Sequence, residues 1–101
     1  MSRVLVVNDK DNVAVALEGL TRGSEVLVAF PSGGKERRIR VNADIPFGHK
    51  LALADIGSGE AVTKYGHTIG VATSRISEGD YVHVHNVASR KGRGDLNTGQ
   101  D

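Results

Sequence analysis

The chain has 101 residues, a length that suits one domain with a single modest core. Its 13 basic and 12 acidic residues leave a net charge of +1, which offers no broad basic field for nucleic acid or for a membrane surface. It contains no cysteine, which excludes disulfides and thiolate metal sites. No apolar run approaches the roughly 20 residues of a transmembrane helix, and the N-terminal segment is too short and too polar for a signal peptide, so we expect a cytoplasmic location.

Short runs of alternating apolar and polar residues, separated by Gly-rich turns at spacings of about 8–12 residues, predict a compact all-β domain. We predict strands at 3–7, 11–17, 25–30, 37–41, 50–56, 61–65, 69–72 and 81–87. A short helix remains an alternative for 11–17, because alanine and leucine favour helices. No convincing internal repeat is visible. The predicted domain covers residues 1–88, and residues 89–101 are predicted to form a flexible C-terminal tail in which Leu96 alone continues the hydrophobic pattern.

His83 and His85 lie within the segment 81–87, whose alternation predicts one half-buried strand. Side chains at i and i+2 of a strand point the same way, so both imidazoles should project from one face, roughly 6–7 Å apart at their Cα atoms. Such a pair can ligate a metal, hold an anion or move protons. A metal needs three or more ligands, so the pair does not define a metal site, and an exposed strand face that happens to carry two histidines is the alternative.

A second candidate site is His49-Lys50, which follows Pro46 and Gly48. Gly48 permits an unusual turn and Pro46 stiffens the approach, so the two side chains should stand at the mouth of the next strand. Such a cationic pair suits a carboxylate or a sulfonate, because lysine offers a point charge and histidine a switchable donor. A solvated pair before a strand is the alternative.

Lys64 and Tyr65 precede Gly66 in a predicted turn that also carries His67. They offer an ammonium group and a phenol hydroxyl. A surface hairpin is the simpler interpretation of this segment when it is considered alone.

Four motifs occur in a fixed order along the chain. They are Asp11-Asn12-Val13-Ala14-Val15-Ala16-Leu17, Ile45-Pro46-x-Gly48-His49-Lys50-x-Ala52-Leu53-x-Asp55-Ile56, Lys64-Tyr65-Gly66-x-x-Ile69-Gly70-x-Ala72 and Gly79-x-x-Val82-His83-Val84-His85-Asn86. Together they resemble the N-terminal SAF-type domain of the altronate/galactarate dehydratase family, and equally the small subunit of sulfolactate sulfo-lyase from the same family. The resemblance spans residues 11–86 and implies a SAF-type β-clip fold of short twisted strands.

The resemblance also implies an activity. It indicates the small subunit of a sugar-acid dehydratase, which eliminates water from a polyhydroxy carboxylate to give a 2-keto-3-deoxy acid and acts with a larger catalytic subunit. A divalent metal, iron, is expected in the large subunit, and none is expected on this chain alone. The small subunit of a sulfolactate sulfo-lyase and a non-catalytic module that binds a sugar acid or stabilises a partner are the alternatives, and a homo-oligomer is left open.

Site residues carry over by motif position. His49 and Lys50 are the expected catalytic contribution. The expected substrate contacts are His83, His85, Asn86, Lys64 and Tyr65. The galactarate branch resembles this chain at Gly-His-Lys but departs from it at His-x-His, which places the chain nearer the altronate and sulfolactate branch.

Overall fold

The computed structural model describes residues 2–34 and 36–89, and within them it contains nine short strands and no helix. The strands are β1 Ser2–Leu5, β2 Val13–Ala16, β3 Glu25–Val28, β4 Arg37–Arg40, β5 Lys50–Ala52, β6 Ala61–Lys64, β7 His67–Ala72, β8 Tyr81–Val82 and β9 Val87–Ser89. The all-β prediction is confirmed, and the helical alternative for 11–17 is wrong. Most of the predicted tail, residues 90–101, lies outside the described residues, whereas Ser89 is the last residue of β9.

The strands form two sheets. Six of them follow the order β4-β3-β1-β2-β5-β8, and three follow the order β6-β7-β9. The β1–β3 pair is parallel and the other pairs are antiparallel. No helix in the described part of the chain is long and apolar enough to cross a membrane.

The fold contains a repeat that the sequence analysis missed. Four nine-residue segments, which we call corners 1 to 4, occupy residues 16–24, 41–49, 52–60 and 72–80. Each begins with Ala or Val, has Leu or Ile as its fifth residue and Gly as its eighth. All of the first and fifth residues are buried. The eighth residues have φ between 84° and 91°, a backbone region in which glycine avoids the Cβ clash.

The corners interlock in pairs through backbone hydrogen bonds. In corners 1 and 2 the fifth residues, Leu20 and Ile45, exchange two N–H···O bonds, and Ile56 and Ile76 do the same in corners 3 and 4. The glycine N–H of each corner donates to the first residue of its partner, as from Gly48 to Ala16 at 2.8 Å. The structure therefore contains a repeat, although no convincing repeat is visible in the sequence. The corners begin at irregular intervals, so their period is not visible along the sequence.

Each pair of corners has its own hydrophobic cluster, built from Val, Ile, Leu and Ala as the composition predicts. The cluster at corners 1 and 2 comprises Val6, Ala14, Ala16, Leu20, Val26, Val28, Ile39, Val41, Ile45, Leu51 and Leu53. The cluster at corners 3 and 4 comprises Val13, Ala52, Ile56, Val62, Ala72, Ile76 and Val82. Strand β5 contributes to both clusters, so it connects the two halves of the domain.

The prediction of one continuous strand over 81–87 is wrong. Strand β8 ends at Val82, residues 83–86 form a turn, and β9 begins at Val87. Asn86 causes this break, because its Oδ1 accepts from the His83 N–H at 2.9 Å and its Nδ2 donates to the Tyr81 carbonyl at 2.9 Å. Its own N–H donates to the His83 carbonyl at 3.1 Å. A short amide side chain that bonds to nearby backbone favours a turn over a strand, and this local effect overrides the alternating pattern.

Candidate functional site

Five side chains form what we call the histidine cluster: His49, Lys50, Tyr81, His83 and His85. The Nδ1 atom of His49 and the hydroxyl of Tyr81 share a hydrogen bond of 2.6 Å. The ring centroids of His49 and His83 are 4.7 Å apart, and Tyr81 stacks on His83 at 5.6 Å with an interplanar angle of 13°. The ring of His85 lies 5.4 Å from that of Tyr81. Two motifs that are far apart in sequence are therefore in contact.

The pairing of β5 with β8 brings the two motifs together. Lys50 lies opposite Val82, and Leu51 lies opposite Tyr81. His49 ends corner 2 immediately before β5, so its ring reaches the start of β8. Although the histidines do not share a strand, the turn at 83–86 keeps both of them in contact with Tyr81.

A cleft of about 250 Å³ opens beside the cluster. Its apolar wall consists of Ile69, Val82, Val84 and Val87, and its polar lining consists of Lys50, His83 and Ser89. Two nitrogen-bearing side chains on an otherwise apolar wall can hold an anionic group while the rest of a ligand lies against carbon.

The charge environment of Lys50 is cationic. Its pKa lies below the ordinary lysine value, mainly because partial burial disfavours the ammonium form and secondly because Lys64 repels it. Among residues 2–34 and 36–89, no carboxylate forms an ion pair with Lys50. An ammonium group that lacks a carboxylate partner beside a cleft is available to an external anion.

The other predicted residues occupy different positions. The charge of Lys64 repels that of Lys50, and the Nζ atom of Lys64 lies 4.7 Å from the centroid of the Tyr65 ring. Tyr65 is exposed at the β6–β7 hairpin, with a φ of 56°. Asn86 is buried, and both polar atoms of its amide bond to backbone, one of them to the His83 N–H.

Tyr81 is the residue that the sequence analysis missed. The alternating pattern predicts only that Tyr81 begins a strand, whereas in the structure Tyr81 contacts all three imidazoles of the cluster. Its position two residues before His83 was the available signal, because side chains at that spacing on an extended chain share a face.

The pKa of His83 lies below the ordinary histidine value, because desolvation and the charges of His49, Lys50 and His85 disfavour the imidazolium. The unfolded chain therefore binds more protons, and the free energy of unfolding should fall as the pH drops from about 6.5 through the lowered pKa. We expect His83→Gln to flatten the curve of Tm against pH below about 6.5. His67→Gln, which removes an exposed imidazole outside the cluster, is the control. An unchanged curve in His83→Gln would contradict the expectation.

In the described part of the chain, no group of three or more His, Asp or Glu side chains could hold a metal ion. The His49 ring hydrogen-bonds to Tyr81, the His83 ring stacks on Tyr81, and the His85 ring is tilted against Tyr81 by 57°. The side chains of residues 2–34 and 36–89 therefore do not fit an iron site.

The fold and the site define a small all-β SAF-type domain with the histidine cluster at a surface cleft. The family model described as the altronate/galactarate dehydratase SAF domain matches residues 2–90. The chain belongs to this family.

Similar proteins include long dehydratases and a short sulfo-lyase subunit. The altronate dehydratase of Escherichia coli is 45% identical over 76 residues, which cover 75% of this chain and 14% of that protein. The altronate dehydratase of Bacillus subtilis is 38% identical over 86 residues, which cover 85% of this chain and 16% of that protein. The (2R)-sulfolactate sulfo-lyase subunit alpha of Chromohalobacter salexigens is 36% identical over 93 residues, which cover 90% of this chain and 99% of that protein. The chain thus spans a small part of the dehydratases and nearly all of the subunit.

Proposed function

We propose that this chain is the small subunit of an altronate-type hydro-lyase, which works with a larger catalytic subunit on an anionic sugar acid. The observation that carries the proposal is the histidine cluster, in which Lys50 has no carboxylate partner among the described residues and lines a cleft with His83. Sequence similarity to altronate dehydratase supports the reaction type. Similarity to a sulfo-lyase subunit supports an enzyme that is divided between two chains. A cytoplasmic location and a metal held by the larger subunit belong to the same proposal.

The chemistry of elimination explains why such a cluster is useful. Removing the proton α to a carboxylate creates an enediolate, so cationic and hydrogen-bonding groups that face it lower the barrier. We assign the Lys50 ammonium to the substrate carboxylate. We assign the imidazole of His49, oriented by the Tyr81 hydroxyl, to a hydroxyl or proton of the substrate.

The cleft is too small and too open to act alone. Ligand sites commonly enclose about 300–1,000 Å³ and bury most of the ligand, whereas this cleft holds about 250 Å³ at the surface. A second chain that covers it would complete the site, exclude water and strengthen the electrostatic contacts.

Two exposed apolar side chains are sequence neighbours of the cluster, and one of them, Val84, also lines the cleft. Phe47 is 70% exposed two residues before His49, and Val84 is 81% exposed next to His83. Exposed apolar groups around a functional cleft are typical of a surface that a partner covers.

We therefore expect Phe47→Ser to weaken binding of the large subunit by about 10- to 100-fold, since burial of a phenylalanine side chain contributes about 1.5–3 kcal/mol. Titration calorimetry of the two subunits would measure this. Leu27→Ser is the matched control, because Leu27 is exposed on β3, which β1 and β2 separate from β5. Equal affinity of the Phe47 variant and the wild type would remove Phe47 from the interface.

The small subunit of a sulfolactate sulfo-lyase is the second candidate. It is favoured by the match to 99% of the length of subunit alpha. In that reaction the β carbon loses sulfite rather than water. Parallel assays for the keto acid and for sulfite would distinguish the two reactions.

The test of the proposal is reconstitution. A tagged form of the chain would capture its partner from a native extract, and the purified partner would be assayed alone and with the chain for dehydration of altronate. We expect turnover only with both chains present. Full activity of the partner alone would refute a catalytic contribution, and binding of a sugar acid without turnover by the complex would favour a non-catalytic module.

A further inference from the structure

His49 differs in its hydrogen bonding from the ninth residues of the other three corners. In those corners the side chain of the ninth residue closes the turn by bonding to the backbone of the sixth residue. In corner 4 the Asp80 carboxylate accepts from the Ser77 N–H at 2.8 Å. In corner 3 the Glu60 carboxylate accepts from the Gly57 N–H at 2.7 Å. In corner 1 the hydroxyl of Ser24 donates to the carbonyl of the sixth residue at 2.5 Å.

Corner 2 departs from this pattern at both positions. Its sixth residue is Pro46, which has no N–H to donate. Its ninth residue is His49, whose Nδ1 bonds instead to the hydroxyl of Tyr81 at 2.6 Å. The side chain that closes the turn elsewhere is here directed to the site.

We propose that Pro46 is a positioning residue, which withholds the backbone N–H that would otherwise capture the His49 imidazole and so leaves that ring to Tyr81 and the cluster. The expected effect of Pro46 on kcat rests on the proposed function. Its expected effect on the contacts of the His49 ring does not.

The shape of the turn does not require proline. Corner 2 makes the same backbone bonds as the other corners, including that from the His49 N–H to the Pro46 carbonyl at 3.0 Å, and its glycine has a φ of 84°. The other corners form the same turn with Thr21, Gly57 and Ser77 at the sixth position. What distinguishes proline at position 46 is therefore the absence of a backbone N–H donor.

A donor at position 46 would be within reach of the imidazole. The Nδ1 atom of histidine and the carboxylate oxygen of aspartate are both two bonds from Cβ, and Asp80 reaches the corresponding N–H in corner 4. An N–H at position 46 would therefore compete with the Tyr81 hydroxyl for Nδ1 of His49.

The first experiment is nuclear magnetic resonance of the full chain carrying Pro46→Ala. We expect the ring contacts of His49 with Tyr81 and His83 to lose most of their intensity, and the ¹⁵N shift of Nδ1 to change. Pro31→Ala is the matched control, because Pro31 is the other proline of the chain and lies in the exposed β3–β4 loop. Unchanged ring contacts and an unchanged Nδ1 shift in Pro46→Ala would overturn the proposal.

A second experiment restores the pattern of corner 4. The double variant Pro46→Ala/His49→Asp should have a Tm a few degrees above that of His49→Asp alone, because the new carboxylate then has an N–H to accept from. The opposite order, or equal values, would overturn the proposal, since the N–H at position 46 would then be out of reach of the ninth side chain.

In the reconstituted enzyme, Pro46→Ala should lower kcat by about tenfold with little change in KM, because Lys50 still holds the carboxylate while the imidazole is misplaced. If the ring contacts are lost and kcat is unchanged, His49 has no part in the reaction. That result contradicts the proposed function and leaves the role of Pro46 in place.

Discussion

Gly79→Ala is expected to lower the free energy of unfolding by about 2–5 kcal/mol, a large share of the roughly 5–15 kcal/mol typical of a folded domain. A Cβ atom at this position would lie 2.0 Å from the carbonyl oxygen of Arg40, which is backbone and cannot rotate away. The φ of 91° adds strain for any residue with a side chain. Two hydrogen bonds of 2.9 Å, from the Gly79 N–H to the Ala52 carbonyl and from the Asn42 N–H to the Gly79 carbonyl, hold the segment in place.

Gly23→Ala is the matched control for that substitution. Gly23 occupies the same position in corner 1 and has a φ of 88°, but a Cβ added there meets nothing within 4 Å. It should therefore cost only the conformational term, about 1–2 kcal/mol. Chemical denaturation followed by circular dichroism would compare the two variants. Equal losses would mean that the approach of Arg40 to Gly79 is looser than the structure shows.

The sequence was sufficient for the fold class because the alternating pattern agrees with local turn chemistry nearly everywhere. It failed at 81–87, where the amide of Asn86 bonds to backbone on either side and outweighs the alternation. It also missed the repeat of corners. The features that define a corner are two buried residues, one glycine and hydrogen bonds to a distant segment, and the last of these has no signature in a single sequence.

The candidate site was also predictable only in part, because its assembly depends on contacts between distant segments. Motif position identified His49, Lys50, His83 and His85, and all four lie in one cluster. Their contact depends on the register of β5 against β8, which periodicity does not determine. Tyr81 was missed because its hydroxyl matters only once that register places it beside His49.

Lys50→Met is expected to lower kcat/KM of the reconstituted enzyme by about 10²-fold or more, the scale of removing one group that stabilises developing negative charge. Methionine keeps much of the apolar stem that packs at the cleft but removes the ammonium group. Lys10→Met is the matched control, because Lys10 is exposed in the turn between β1 and β2, away from the cleft lining. Near-equal kcat/KM values for Lys50→Met and the wild type would exclude Lys50 from the reaction.

The pH dependence of activity is a second, independent test of the role of Lys50. If the Lys50 ammonium holds the substrate carboxylate, activity should fall as the pH rises through a pKa that lies below the ordinary lysine value, because burial and Lys64 both disfavour the charged form. Lys64→Met removes the repulsion and leaves the burial, so it should raise the pKa of Lys50 and move the alkaline limb of the pH–rate profile to higher pH. A limb that disappears in Lys50→Met and moves upward in Lys64→Met would assign it to the Lys50 ammonium. A limb that is unchanged in both variants would assign it to a group on the large subunit, and the cationic cleft of this chain would then serve binding of the partner rather than of the substrate.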